Sequence, residues 1–273
     1  MQSPSSLEGK TAIVTGGSRG IGAACAIQLA KKGLSALAIT YVSRKESAEE
    51  VLEKCRGFGV IKTVAIHSDL LDPQVGIKLV SSVLEGLGTK TIDILVNNAV
   101  ITDMSMMQPF EKITAKDFRD LMQGDVFGPI STISAVLPHL PSRGGRIINI
   151  SSVASKAAAA DPMMTYGAAK AALDSFTRSL AGTYAVKTLA TFNSISVGAT
   201  NTDALWKVVD AYRPIMADLD KMMMEQCTAE KRLAEPEDVA FVVGFLASEE
   251  ARWINGAQLP ANGGTRELIA LQG

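Results

Sequence analysis

The chain has 273 residues, 47% of them apolar, and a formal net charge of −1. A charge this close to zero, without a basic run, argues against nucleic acid or an anionic membrane as the main partner. The opening stretch MQSPSSLEGK lacks the apolar run of a secretory signal. No apolar run reaches the ~20 residues that span a bilayer. We therefore expect a cytoplasmic protein that does not enter a membrane.

The cysteines and histidines are scattered along the chain. They are Cys25, Cys55, Cys227, His67 and His139. None forms a C-x-x-C pair, and no histidine lies next to a cysteine. This spacing predicts reduced thiols in an intracellular protein, and it predicts no metal site.

Short apolar, β-branched runs recur along the chain between turn residues. In chain order they are 11–15 (TAIVT), 36–40 (ALAIT), 63–67 (TVAIH), 92–98 (IDILVNN), 146–151 (RIINIS) and 189–196 (LATFNSIS), and 257–260 (AQLP) is a candidate for a last strand. Such continuous runs are typical of strands buried on both faces of a parallel sheet.

Helix-like segments alternate with these runs. They span 20–33, 44–57, 73–87, 114–140 and 165–187. The alternation predicts right-handed βαβ units and an α/β fold of the Rossmann type, with a doubly wound parallel sheet of about seven strands. We find no repeat, linker or domain boundary, so residues 1–273 are predicted to form one domain. Residues 203–232 interrupt the alternation.

The first strand runs directly into a glycine-rich turn, TGGSRGIG at 15–22, which opens a helix. Glycines allow a tight turn and a close approach of the backbone to a pyrophosphate, which the free N–H groups of the helix start also attract. The turn therefore predicts a dinucleotide site. We expect contacts from Gly16, Ser18, Arg19, Gly20, Ile21 and Gly22.

The second strand ends in ITYVSRK. A site that selects NAD usually places an acid here to bind the ribose 2′-hydroxyl, but none occurs before Glu46. Cations and a hydroxyl that could face a 2′-phosphate occur instead, although they could also cap and solvate the next helix. We predict NADP(H) as cofactor, bound partly by Arg19, Tyr41, Ser43 and Arg44.

The segment MMTYGAAKAAL at 163–173 carries a tyrosine and a lysine four residues apart. Positions i and i+4 share one face of a helix, so Tyr166 and Lys170 would present a phenol beside an ammonium. An isolated Y-x-x-x-K pattern usually marks only a solvated helix face. Its meaning here depends on the rest of the chain.

Over about residues 7–265 the chain resembles the short-chain dehydrogenase/reductase family, in its compact single-domain branch. The motifs are TGGSRGIG, HSDL with Asp69, NNA at 97–99, ISS at 150–152, YGAAK, and the tail from RLAEPEDVAF to NGG. The resemblance implies cofactor contacts by Asp69, Leu70, Asn97, Ala99, Gly198, Thr200 and Thr202. It implies Tyr166 and Lys170 as catalytic pair and cofactor ligands, with Ser152 as their partner.

The chemistry of this trio is consistent with carbonyl reduction. An ordinary phenol has a pKa of about 10 and is a poor base near neutrality. An adjacent ammonium favours the phenolate, so Tyr166 can exchange a proton with a carbonyl or alcohol oxygen. Such acid–base help is worth ~10²–10⁴-fold. Ser152 could polarise the same carbonyl, or it could simply be a polar strand end.

Three positions depart from the family pattern: Val100 in NNAV, Val197 before Gly198, and Asp125 in GDVFG. Where this chain has Asp125, the family has an asparagine. The main chain of that asparagine holds a water molecule that links the catalytic lysine, here Lys170, to solvent. Asp125 therefore touches the predicted proton relay, and we include it among the catalytic candidates.

Residues 203–232 correspond to the substrate lid of the family. Methionines are numerous there and near the presumed cleft; they are Met104, Met106, Met107, Met163, Met164, Met216, Met222, Met223 and Met224. Methionine suits irregular apolar surfaces, although ordinary packing explains any one of them equally well. Together they predict a bulky, uncharged, ring-containing substrate of secondary metabolism.

We therefore predict an NADPH-dependent oxidoreductase that reduces a ketone, or oxidises a secondary alcohol, on such a small molecule. The alternatives are an NADP-binding isomerase, cyclase or dehydratase on the same fold, and a nucleotide-sensing protein without catalysis. The family pairs the helices that correspond to 114–140 and 165–187, so the resemblance implies a homo-oligomer, a tetramer or a dimer.

Overall fold

The computed structural model describes residues 3–101, 103–159, 161–214 and 216–269. Within them lie seven strands: β1 (Thr11–Val14), β2 (Ala36–Tyr41), β3 (Lys62–His67), β4 (Ile94–Asn97), β5 (Arg146–Ser152), β6 (Thr191–Val197) and β7 (Gln258–Ala261). All pairings are parallel, in the order β3-β2-β1-β4-β5-β6-β7. The predicted doubly wound α/β fold is confirmed.

Helices cover both faces of the sheet. The helices of the described residues are α1 (Gly20–Lys31), α2 (Lys45–Gly57), α3 (Val75–Leu87), α4 (Ala115–Met122), α5 (Gly128–Val136), α6 (Met164–Thr188), α7 (Asp203–Tyr212), α8 (Leu219–Gln226), α9 (Pro236–Leu246) and α10 (Arg266–Ile269). None of the described helices is long and apolar enough to cross a membrane.

Alternation along the central strands divides the core into two layers. In β1, Ala12 and Val14 pack under α1, α2 and α9, whereas Ile13 packs on the opposite face with α3, α5 and α6. Successive side chains of a strand point to opposite faces, and helices cover both of them here. A continuous apolar run is therefore what this strand requires.

The strand at 63–67 is less buried than the sequence predicts. Lys62 and His67 at its ends are exposed, and the residues between them are half-buried. The reason is its position, because β3 pairs only with β2 and forms one edge of the sheet.

The helix predicted over 114–140 is not continuous. α4 begins at a capping box made by Thr114 and Asp117, and a π-helical segment, Gln123–Phe127, separates it from α5. Gly124, Gly128 and Pro129 have low helix propensity, which explains the interruption. Single-turn π segments are often found at functional sites, and this one contains Asp125.

The carboxyl ends of the central strands meet at one edge of the sheet. The chain runs outward from β1 through β2 to β3 and then crosses back to β4 on the other side of β1, so the strand order reverses there. In open α/β sheets ligands bind in the crevice outside such a switch point. The glycine-rich turn after β1 and the ends of β4, β5 and β6 all lie there.

Candidate active site

The glycine-rich turn brings backbone close to backbone. Gly16 has a φ of 64°, and a Cβ added there would lie 3.0 Å from the Cα of Ala99. A Cβ on Gly22 would lie 2.2 Å from the carbonyl oxygen of Gly16. Both positions therefore require glycine, as expected for a turn that lets a pyrophosphate reach the start of α1.

Two residues that the sequence prediction omits hold this turn in place. The Thr15 hydroxyl oxygen accepts hydrogen bonds from the backbone N–H groups of Asn98 (2.9 Å) and Ala99 (3.0 Å). The Asn98 side-chain amide donates to the carbonyl oxygens of Thr15 (2.9 Å) and Gly16 (3.2 Å). The second asparagine of NNA is the sequence signal that could have identified this link.

The two arginines predicted to face a 2′-phosphate lie at neighbouring helix starts. Arg19 is the N-cap of α1, and Arg44 is the N-cap of α2. Both are partly exposed, and each contacts the same carboxylate oxygen of Asp203, at 3.4 Å and 3.3 Å respectively. The sequence prediction did not single out Asp203.

The other residues predicted near the adenosine end are exposed or half-buried around these arginines. Ser43 is exposed, Ser18 and Ile21 are half-buried, and the ring of Tyr41 lies edge-on to His67 with centroids 5.8 Å apart. Gly20 has a φ of 52°, and Thr202 packs closely against it: a Cβ on Gly20 would lie 3.2 Å from Thr202 Cγ2.

Beyond β3 and β4, the predicted cofactor residues differ in orientation. Asp69 is exposed and accepts a hydrogen bond from the Leu71 N–H. Leu70 is buried, and its carbonyl oxygen accepts from Gln123. The Asn97 side chain is also buried and donates to Asn149 Oδ1 at 2.9 Å, so its amide points into the protein rather than into the cleft.

The segment after β6 approaches the glycine-rich turn, since a Cβ on Gly20 would lie 3.2 Å from Thr202 Cγ2. A Cβ on Gly198 would lie 3.0 Å from the Cα of Asn262, and Thr200 donates to the Gly198 carbonyl. Thr202 caps α7 by accepting a hydrogen bond from the Leu205 N–H. These contacts fix the start of α7 beside the glycine-rich turn.

The predicted catalytic pair lies on one face of α6, as its spacing requires. Lys170 is buried, and its Nζ lies 5.6 Å from the centroid of the Tyr166 ring. The ammonium also donates to the Ile150 carbonyl oxygen at 3.3 Å, which ties α6 to β5. Tyr166 itself is half-buried.

Ser152 ends β5, two residues after the carbonyl that Lys170 contacts. Its hydroxyl oxygen accepts a hydrogen bond from the Ala154 N–H at 3.2 Å. Since a hydroxyl can accept and donate at once, the Ser152 O–H remains available as a donor. The neighbouring Ser151 is different, because it is buried and donates to Asp174.

Asp125 is completely buried inside the π-helical segment. Its Oδ1 accepts a hydrogen bond from the Ile101 N–H at 2.8 Å, and its Oδ2 has no partner among the described residues. Burial raises the pKa of this carboxyl, while the charge of Lys170 and the Ile101 hydrogen bond act in the opposite direction. The Asp125 carboxyl is therefore influenced by the charge of Lys170, and it holds the backbone of Ile101, the residue that follows NNAV.

The predicted lid consists of α7, α8 and their connections. Of the methionines considered above, Met107 and Met163 pack with Leu121 and Ala169 in a small core between α4 and α6. Met164 and Met222 are exposed. The Met104 side chain lies outside the described part of the chain.

The three cysteines, Cys25, Cys55 and Cys227, are buried free thiols. Burial raises the pKa of Cys25 to about 12 and that of Cys55 to about 11. Neither thiol is therefore a reactive nucleophile. Within the described ranges no three His, Cys, Asp or Glu side chains are grouped so that they could hold a metal ion.

Comparison with known proteins agrees with this geometry. A family model described as enoyl-(acyl carrier protein) reductase matches residues 16–266. The short chain dehydrogenase asqE of Emericella nidulans is 55% identical over 98% of each chain.

Solved structures give the same result. A short chain dehydrogenase from Burkholderia cenocepacia in complex with NADP superposes with a TM-score of 0.82 at 34% identity, covering 95% of this chain and 98% of the other. The angucycline C-6 ketoreductase LanV with bound NADP also has a TM-score of 0.82 at 34% identity, covering 95% and 96%. The chain belongs to the short-chain dehydrogenase/reductase family of oxidoreductases.

Proposed function

We propose that this protein is an NADPH-dependent ketoreductase that acts on a bulky, ring-containing small molecule of secondary metabolism. The observation that carries the proposal is the buried Lys170 ammonium, 5.6 Å from the Tyr166 ring and one turn along the same helix. Solved relatives bind NADP, and one of them is a ketoreductase for an angucycline. These likenesses support the cofactor and the class of reaction.

The residues of the cleft fit NADP(H). Gly16 and Gly22 keep the glycine-rich turn tightly packed against Ala99 and the start of α1, in a shape that a Cβ at either position would disrupt. Arg19 and Arg44 already converge on one anionic oxygen, and two guanidinium groups suit a phosphate. No acid that would prefer a ribose 2′-hydroxyl lies between Tyr41 and Glu46.

The cofactor, when bound, supplies the hydride that reduces the carbonyl carbon. Tyr166 donates its hydroxyl proton to the carbonyl oxygen, so that the ketone becomes a secondary alcohol. Lys170 stabilises the phenolate that remains, because its ammonium is held beside the ring. Ser152 donates a hydrogen bond to the same oxygen, where negative charge develops.

Asp125 acts as a positioning residue in this proposal. Its carboxyl has no exposed surface and is already bonded to the Ile101 N–H, so it does not reach a substrate. This argues only against a non-redox step in which Asp125 itself would act on the substrate. The loop it anchors lies between NNAV and the π-helical segment.

We also propose that the protein is a homotetramer. Large apolar side chains are exposed along α4, α6 and the π-helical segment between α4 and α5; they are Phe118, Phe127, Phe176, Tyr184 and Val186. Exposed apolar side chains of this kind on a single chain support contacts between subunits.

The direct test is loss of NADPH absorbance with a panel of cyclic ketones and quinones. We expect turnover with at least one polycyclic ketone and none with short aliphatic ketones. Conversion of a substrate without consumption of NADPH would overturn the proposal and favour the non-redox alternative.

A further inference from the structure

The start of the lid helix α7 meets the starts of two cofactor-side helices. Asp203, the first residue of α7, directs one carboxylate oxygen at Arg19 and Arg44. These two residues are the N-caps of α1 and α2. Both contacts join segments that are distant in sequence, with separations of 184 and 159 residues.

We propose that Asp203 competes with the 2′-phosphate of NADP(H) for Arg19 and Arg44, so that binding of this phosphate releases the first turn of α7. This inference rests on the proposed NADPH-dependent function. In this inference the Asp203 carboxylate is an internal anion, and its contacts with Arg19 and Arg44 couple recognition of the cofactor to the position of the lid helix α7.

The geometry is that of a contact that a phosphate can displace. The distances from Arg19 and Arg44 to Asp203 are 3.4 Å and 3.3 Å, longer than the ~2.7–2.9 Å of a strong charge-assisted hydrogen bond. The Asp203 side chain is 58% exposed, so water competes for it as well. A phosphate monoester offers three acceptor oxygens and more negative charge than a carboxylate.

Release of Asp203 should change the environment of Trp206, which lies in the same first turn of α7. Thr202 caps the helix through the Leu205 N–H, and Trp206 donates its indole N–H to Asn201 Oδ1 at 2.9 Å. Trp206 therefore lies within one turn of the ion pairs and reports on the same turn. If the phosphate and Asp203 bind the same arginines, the two equilibria must be coupled in both directions.

The test compares 2′,5′-ADP with 5′-AMP, a pair that differs only in the 2′-phosphate, by calorimetric titration. Asp203→Asn removes the competing charge from an exposed position. We expect it to bind 2′,5′-ADP about three- to tenfold more tightly, the range for two exposed ion pairs, and 5′-AMP unchanged. The matched control is Asp210→Asn, which removes the same charge from α7 where it pairs with Arg213, and should change neither affinity.

The second measurement follows Trp206 fluorescence. The chain has two tryptophans, and Trp253 is 95% exposed, so a Trp253→Phe background isolates the signal of Trp206. We expect 2′,5′-ADP to change the Trp206 emission more than saturating 5′-AMP does. In Asp203→Asn that difference should disappear.

Each contrary result has a distinct meaning. Weaker binding of 2′,5′-ADP by Asp203→Asn would show that Asp203 orders the arginines for the phosphate, and unchanged binding would show no competition; both overturn the inference. Equal emission changes with the two nucleotides would refute the link to α7. Equal affinity of wild type for both nucleotides would instead remove the NADP preference itself, and the inference with it.

Discussion

The Lys170 ammonium lies 5.6 Å from the centroid of the Tyr166 ring and donates a hydrogen bond to the carbonyl oxygen of Ile150. One buried cation thus joins the predicted acid–base residue to the strand that ends at Ser152. A second tyrosine–lysine pair on α6, Tyr184 and Lys187, has the same separation of 5.6 Å but an exposed tyrosine. It offers a natural control.

Tyr166→Phe is expected to lower kcat by about 10²–10⁴-fold, since only the proton-donating hydroxyl is lost. The Kd for NADPH, measured by fluorescence titration, should stay within about twofold of wild type because the ring remains. Tyr184→Phe should leave kcat unchanged. A Tyr166→Phe enzyme with wild-type turnover would refute the proposed mechanism.

Arg44→Ala is expected to raise KM for NADPH by roughly tenfold, because a hydrogen bond between charged groups is lost at the 2′-phosphate. KM for NADH should hardly change. Arg213→Ala, which removes a cation from the end of α7, serves as control and should affect neither cofactor. A wild type that prefers NADH would contradict the assignment of the cofactor.

Asp125→Asn tests the buried carboxyl through stability. Burial raises the pKa of Asp125 in the folded chain above the ordinary value of 3.8. The folded chain then retains a proton that the unfolded chain releases. This contribution to the free energy of unfolding is complete below about pH 4 and is lost as the pH rises through the folded pKa.

Asparagine cannot titrate and resembles the protonated acid in shape. Relative to wild type, Asp125→Asn should therefore gain melting temperature as the pH rises from about 4 through the pKa of Asp125 in the folded chain. Calorimetry at several pH values measures the difference. For Asp210→Asn, at an exposed position, the difference in melting temperature from wild type should not increase with pH. If the difference for Asp125→Asn also stayed constant, the Asp125 carboxyl would be ionised over the whole pH range.

Gly22→Ala is expected to destabilise the chain by about 1–3 kcal/mol or more, because the new Cβ would meet the Gly16 carbonyl oxygen at 2.2 Å. Gly182→Ala on α6 is the control. A Cβ there meets nothing within 4 Å, so the change should stabilise the helix by about 0.5–1 kcal/mol. Thermal unfolding should show a lower melting temperature for Gly22→Ala and a higher one for Gly182→Ala than for wild type.

Phe176→Glu is expected to dissociate the proposed tetramer, since it replaces an exposed apolar side chain of α6 by a charge at the proposed subunit contact. Light scattering at micromolar concentration should give the mass of four chains for wild type and less for the variant. Ile61→Glu, also at an exposed apolar residue but beside the edge strand β3, should leave the mass unchanged. A monomeric wild type would contradict the proposal.

The sequence alone determined what depends on local periodicity. Continuous β-branched runs identified the strands, TGGSRGIG located the dinucleotide turn, and the spacing of Tyr166 and Lys170 placed both on one face of a helix. Strand alternation and the i, i+4 relation are properties of neighbouring residues, so a pattern of letters records them. The fold class and the shared helix face of Tyr166 and Lys170 were therefore predictable.

The tertiary structure decided what depends on the order of strands and on long-range contacts. Only the sheet order places β3 at an edge, where its residues need less burial. Only packing turns the Asn97 amide towards Asn149, encloses Asp125 completely, and brings Asp203 to Arg19 across 184 residues of chain. No local pattern encodes these contacts, because each pairs side chains whose separation in sequence is set by the connections between strands.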